Sequence, residues 1–388
     1  MPRLQLPTSI FLPFEGLTSS KLCDILFRIN MHEERIMTAY LILENGRVFQ
    51  GEFFGAAGEA VGEVVFTTGM TGYLETITDP GYHGQIILQS FPLIGNYGVI
   101  PADLEKDSIS AKAYICKYPC QEPSNYRNEG DLDTFFMSKG IVGVKGIDTR
   151  ALAKLIRDNG VMNAKITSQP PTEADRVQAA AYKIEAAIPA VSCKEVKTYG
   201  SGNLHVALLD FGMKDSLVKS LMARGCKVSV FPHDASPNMI MSMRPDGIML
   251  SSGPGDPADP TNQVIIDNLK ELIKLDIPMF GVCMGHLLLA RAKGFETTKM
   301  KFGHHGSNQP VKDLKTGRVY ISSQNHGYAA VAAREDCYFV NVNDGSCEGM
   351  DYGRSFSVQF QPEGRSGPTD TAFLFDKFVE NMKEARNA

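Results

Sequence analysis

The residues best suited to chemistry lie in Gly281-Val282-Cys283-Met284-Gly285. An apolar run, IPMFGV, leads into them, and a helical pattern leaves from Met284. A cysteine between glycines at a strand-to-helix corner has the layout of a nucleophile elbow, with the side chain exposed at the tip of a sharp turn. A helix N-terminus behind the sulfur stabilises a thiolate, and its N–H groups can bind an oxyanion. A cysteine in such a corner is more often an apolar filler, but the flanking glycines weigh against that here.

Three further loops carry polar groups. In SSGPGDP, Ser251 to Pro257, Gly253 and Gly255 bracket a proline and leave backbone N–H groups free. Alone this is an ordinary turn; one helix ahead of the elbow, it is placed to complete an oxyanion hole. SSQNHGYA, Ser322 to Ala329, offers Asn325, His326 and Gly327, or reads as a turn with a hydrogen-bonded histidine. VQFQPEG, Val358 to Gly364, follows a strand-like run and carries a carboxylate, Glu363. His304 and His305 are adjacent, so on an extended segment they face opposite sides and cannot readily share a metal. They are read as structural, and no metal site is expected.

These loops need elements to hold them. From Leu204 onward the pattern alternates: strand HVALLDFG, helix KDSLVKSLMARG, strand KVSVFP, strand DGIMLSS, helix VIIDNLKELIKL, strand IPMFGV, then a helix. The fold class is α/β. This half predicts an open, mostly parallel sheet with helices on both faces and its site at the strand C-terminal ends. The first half reads as a mixed α/β domain. TAYLILENGRVFQGEFFG is a hairpin about Asn45-Gly46, and Ile147 to Gly160 is helical with a glycine stop. Neither a P-loop nor a dinucleotide fingerprint is present. Expected boundaries are 1–37 as an extension outside the fold, 38–167 as the first domain, 168–203 as a linker and 204–388 as the second domain.

Composition sets the outer limits. The chain has 388 residues, 43% hydrophobic and 21% charged, as in a soluble globular protein of two domains. A net charge of −5 argues against a nucleic-acid partner, and no apolar run is long enough for a membrane span. Eight scattered cysteines suggest neither a zinc site nor a disulfide scaffold, and the expected setting is the reducing cytoplasm.

Together, FGVCMGH, LSSGPGDP, SQNHGYA and VQFQPE resemble the triad-type, class I glutamine amidotransferases. GEVVFTTGMTGYLETITDPGY, KGIDTRALAKLIRDNG, LDFGMK and MKFGHHGSNQPV extend the resemblance to the carbamoyl-phosphate synthase small subunit, from Thr38 to the C-terminus. The resemblance implies a Cys283 nucleophile that forms a glutamyl thioester, and Glu363 as the orienting acid. It also implies an oxyanion hole from the backbones of Gly253 and Met284, with Gly255 lining the L-glutamine site. Lys214, Asn325, Gly327 and Tyr328 match further pocket positions. The implied partner is a large subunit that uses ATP, bicarbonate and Mg to make carbamoyl phosphate for arginine or pyrimidine synthesis. No cofactor is implied in this chain.

The resemblance also marks departures. The family motif His-Pro-Glu is Gln361-Pro362-Glu363 here, and glutamine has no titratable nitrogen. The substrate-contacting glutamine of the elbow helix is Leu287, a serine is Gly81, and an asparagine after the lysine is Ser216. His286 and His326 are not read as replacements for the missing base, because the family resembled has both alongside its catalytic histidine. Two expectations follow: a glutaminase that works through a Cys283 thioester and supplies ammonia to the large subunit, its own activity weak or absent because Gln361 replaces the histidine, or a glutaminase-deficient partner that stabilises or regulates an ammonia-using large subunit.

Overall fold

The computed structural model describes residues 37–387. The expected extension, except for Met37, lies outside the described residues. The first half opens with the hairpin β1 (Thr38–Leu43) and β2 (Val48–Gly55), paired antiparallel from Thr38–Glu52 to Ile42–Val48. Gly46, at φ 85°, supplies the positive backbone angle of the turn. Then follow β3 (Ala60–Thr67), β4 (Gln85–Gln89), β5 (Leu93–Ile94), β6 (Ala113–Ile115), β7 (Tyr118–Pro119), β8 (Val142–Lys145) and β9 (Met162–Thr167).

Seven of these strands close into a barrel in the order β1-β2-β8-β6-β4-β3-β9, and β5 and β7 pair separately. Alternate strand residues, among them Leu41, Val64, Ile86, Ile115, Val144 and Ile166, form one core with Leu152 and Ile156 of the helix Thr149–Asn159. Asp148 caps that helix by accepting from the Ala151 N–H at 2.9 Å.

The second sheet has ten strands. β10 (Lys197–Tyr199) is an edge strand from within the stretch expected to be a linker. β11 (Leu204–Asp210), β12 (Cys226–Pro232), β13 (Gly247–Leu250), β14 (Met279–Val282) and β19 (Phe356–Val358) form a parallel centre. Antiparallel strands β15 (Glu296–Asp313), β16 (Val319–Val331), β17 (Phe339–Asn341) and β18 (Cys347–Asp351) extend it.

Strand alternation divides the side chains between two cores. Val206 and Leu208 join a core with Leu217, Leu221, Phe375 and Phe378 from the helices Asp215–Met222 and Phe373–Asn387. Ala207 and Leu209 join the opposite core with Ile240, Leu269, Leu272 and Leu288 from the helices Pro237–Ser242, Gln263–Ile273 and Met284–Ala292. Helices therefore cover both faces. The segment QNHG, open to being read as a turn, lies inside β16: its residues pair across to β15, His305 with Asn325 and His304 with His326.

Candidate active site

β14 ends at Val282, and the helix Met284–Ala292 starts two residues later. Cys283 stands between them at φ 54°, ψ −106°. That conformation is costly for a residue with a Cβ and is held by its surroundings. The Cys283 N–H donates to Val358 O at 2.9 Å, and the Gly285 N–H donates to Ser251 O at 2.9 Å. A Cβ on Gly285 would lie 2.4 Å from Leu250 O, so only glycine lets the helix approach β13. These contacts make the corner an elbow in fact as well as in pattern.

The cavity in front of the elbow has a volume of about 460 Å³. Cys283, Met284, Leu287, Gly253, Gly255, Asn325, Gly327, Tyr328 and Gly81 all line it. Gly81 comes from the first half of the chain, as do Glu63 and Asn163, while Tyr182–Glu185 close another wall. Gly253 is restricted by close approach: a Cβ there would lie 2.2 Å from Phe211 O. Lys214, Gln361 and Glu363 do not line this cavity.

The Cys283 thiol is buried and donates to Asn325 O at 3.4 Å. The Gln359 amide reaches it only at 3.9 Å, and the Met284 N–H donates to it. Burial pushes the thiol pKa up to about 12; Asp79 and Glu363 add to the rise, while Lys214 and the Met284 N–H oppose it. The sulfur is therefore protonated at neutral pH. None of the groups touching it, a carbonyl, an amide and an N–H, is a base.

Behind the elbow, Lys214 occupies a smaller cleft that Gln361 also lines. Its Nζ donates to Gln361 Oε1 at 3.0 Å and lies 2.7 Å from Glu363 Oε1, outside hydrogen-bond alignment. Glu363 Oε2 has no hydrogen-bond partner. Burial works against the lysine's charge, but Glu363, Glu105 and Asp79 outweigh it and raise its pKa. Lys214 thus stays protonated and has no lone pair to offer. The Glu363 carboxylate is committed to an ion pair.

Sequence reasoning missed two carboxylates of the first half. Asp79 accepts from Asn325 Nδ2 at 3.0 Å and from the Gly81 N–H at 2.8 Å. Glu105 accepts from Ser216 Oγ at 2.8 Å and from the Ser216 N–H at 3.1 Å. Asp79 lies in TDPGY, where a carboxylate two residues before a glycine reads as a turn; nothing local points to its distant partner. Gly81 also gains a spatial reason. A Cβ there would lie 2.8 Å from Asn325 Nδ2 and 3.0 Å from Asp79 Oδ1.

The histidines divide by face, as their adjacency implies. His305 Nδ1 meets Asn325 Oδ1 at 2.8 Å. Because Asp79 fixes the Asn325 amide, that Nδ1 must carry the proton. Burial, chiefly, lowers the His305 pKa to about 4, and its Nε2 is buried without a partner. His304 faces away, with Nε2 2.9 Å from Asp344 Oδ2 and Nδ1 3.2 Å from Glu348 Oε1. His326 approaches the same Glu348 oxygen at 3.9 Å. Among the described residues, His304, His326 and Glu348 could converge on a metal ion. Their facing atoms are already paired with one another, with Asn341 and with Gln324, which reads as a buried hydrogen-bond network. His286 is also buried: Nδ1 contacts Ser357 Oγ at 2.8 Å, and burial lowers its pKa to about 3.

A strained cysteine elbow on a helix-covered α/β sheet, facing glycine-rich backbone across a cavity, defines a class I glutamine amidotransferase domain. The family model described as glutamine amidotransferase class-I matches residues 207–381, and that of the carbamoyl-phosphate synthase small chain, CPSase domain, matches 41–166. The carbamoyl phosphate synthase small chain of Clostridium perfringens is 44% identical over 349 residues, spanning 89% of this chain and 99% of that one. That of Archaeoglobus fulgidus is 42% identical over 367 residues, spanning 90% and 100%. That of Bacillus caldolyticus is 43% identical over 361 residues, spanning 90% and 97%. The chain belongs to the carbamoyl-phosphate synthase small-chain family.

Proposed function

We propose that this chain is a carbamoyl-phosphate synthase small subunit whose own glutaminase is weak or absent. Its role is then that of a structural or regulatory partner of a large subunit that uses ATP, bicarbonate and Mg and can take ammonia directly. One observation carries the reading: Gln361 and Glu363 both face the protonated Lys214. Among the described residues no general base touches the Cys283 thiol to take its proton, and loss of such a group typically costs about 10²–10⁴ in rate. Leu287 adds an apolar wall to the cavity.

A residual glutamine reaction through a Cys283 thioester is the second reading. The strained elbow, and the Met284 N–H beside the sulfur, favour it. In this reading glutamine enters the cavity, Gly253 and Met284 face the developing oxyanion, and slow proton loss from the buried thiol limits the rate. The test is a glutaminase assay on the complex with a large subunit, beside ammonia-dependent carbamoyl phosphate synthesis. Synthesis supported by ammonia but scarcely by glutamine is expected. Robust glutamine turnover that vanishes in Cys283→Ser would overturn the proposal.

A further inference from the structure

Gln359 is fully buried, yet its side chain is poorly matched to its surroundings. Val282 of β14 pairs with Val358 of β19, so Cys283 and Gln359 are the next residues along two parallel neighbours. The Cys283 N–H donates to Val358 O at 2.9 Å and the Gln359 N–H to Glu348 O at 2.9 Å, which fixes both backbones. Gln359 Nε2 then reaches Cys283 Sγ at 3.9 Å, while Gln359 Oε1 has no hydrogen-bond partner. Cys283, Val358 and Phe360 share an apolar core, so the oxygen gains nothing there. A buried carbonyl left unpaired destabilises a fold, whereas an apolar side chain of the same shape costs little. Packing alone therefore gives no reason for an amide at this position.

We propose that Gln359 holds the nucleophile in its reactive form: its Nε2–H donates to the Cys283 sulfur once the thiol proton has left. The thiol itself sets the orientation of the amide, because its proton goes to Asn325 O at 3.4 Å. The reverse orientation would set the Gln359 oxygen against sulfur lone pairs. In the thiol form the sulfur is a weak acceptor, and the 3.9 Å contact is long.

Loss of the proton reverses both preferences. Asn325 O then faces a negative sulfur and repels it, while Gln359 and the Met284 N–H face it as donors. A hydrogen bond to an ionised partner is shorter and roughly twice as strong as one to a neutral partner, so the Gln359 contact tightens. This role rests on Cys283 being the nucleophile of the residual reaction, but it belongs to the sulfur and needs no glutamine turnover.

The test reads the Cys283 thiolate without glutamine. The full chain is treated with iodoacetamide across alkaline pH, and alkylation of the Cys283 peptide is followed by mass spectrometry. Gln359→Met keeps the length of the side chain and removes the donor. A rise of one unit in the thiol pKa cuts the thiolate about tenfold but makes it about threefold more nucleophilic, so Cys283 alkylation should slow about threefold. Gln359→Glu, which sets a carboxylate against the sulfur, should slow it further. Urea unfolding of Gln359→Met should show a midpoint unchanged or raised, because the unpaired oxygen has gone. Equal alkylation rates in the native chain and both variants would overturn the proposal, even where glutamine turnover upholds the Cys283 thioester. So would a Gln359→Met chain that unfolds more readily or fails to fold, since the amide would then be a structural group. Slowed alkylation in a chain that turns over no glutamine would uphold the role of Gln359 and remove the residual reaction alone.

Discussion

At the residue scale, the site is decided by what Lys214 holds. Lys214 and Glu363 are 5% and 0% exposed, so removing either leaves a charge buried alone. Lys214→Met should cost about 3–5 kcal/mol of stability, read by urea unfolding. A cost near zero would mean that the ion pair is dispensable. Gln361→His supplies the missing titratable group but meets a Glu363 already engaged and a Leu287 with no hydrogen bond to give. Only part of the roughly 10²–10⁴ in rate should return in glutaminase kcat/KM. Adding Leu287→Gln should raise it further; full recovery from Gln361→His alone would contradict the role given to Leu287. Gly81→Ser should not help, because the new side chain would crowd the Asn325–Asp79 contact.

At the element scale, the paired strands β15 and β16 carry both the cavity wall and a titrating network. Burial opposes charge on His304, but its bonds to Asp344 and Glu348 prevail and raise its pKa to about 9. Burial raises the pKa of the partner Glu348 as well, so the pair titrates as a unit. The ordinary histidine pKa is near 6.5. The folded pKa is the higher one, so this stabilisation is complete below about 6.5 and is lost as pH rises through about 9. Stability measured across that window should decline, and His304→Gln should flatten the decline.

The same elements show what was legible in sequence. The elbow, the hairpin about Gly46 and the alternating strands and helices from Leu204 are local patterns, and each maps onto one element. QNHG was open to being read as a turn because its polar residues mask a strand whose partner lies some twenty positions upstream. Lys197–Tyr199 joins the second sheet through β12, a contact no short window contains. The closure of seven strands into a barrel, and the reach of Asp79 to Asn325, depend on long-range pairing that residue periodicity does not encode.

At the scale of the whole molecule, polar contacts stitch the first half to the second, two of them buried. Asp79 binds Asn325, Glu105 binds Ser216, and Lys106 pairs with Asp215 at 2.7 Å. The cavity is lined by both halves, so a defect in it can arise from either. Glu105→Ala leaves two buried Ser216 donors unpaired and should cost about 1–3 kcal/mol. Calorimetry should show one unfolding transition for the native chain and two for a variant lacking both Asp79 and Glu105 carboxylates. A single transition in that variant would place the coupling elsewhere.

The closed barrel limits how a partner can hold the first half. Its strands β1, β2, β8, β6, β4, β3 and β9 satisfy one another around a ring and present no open edge. A protein that captures its partners by donating a strand finds no template there. The barrel must be gripped through its loops and side chains, by shape and charge, so the association can be tuned one surface residue at a time. The same ring guards the barrel against runaway strand-to-strand polymerisation.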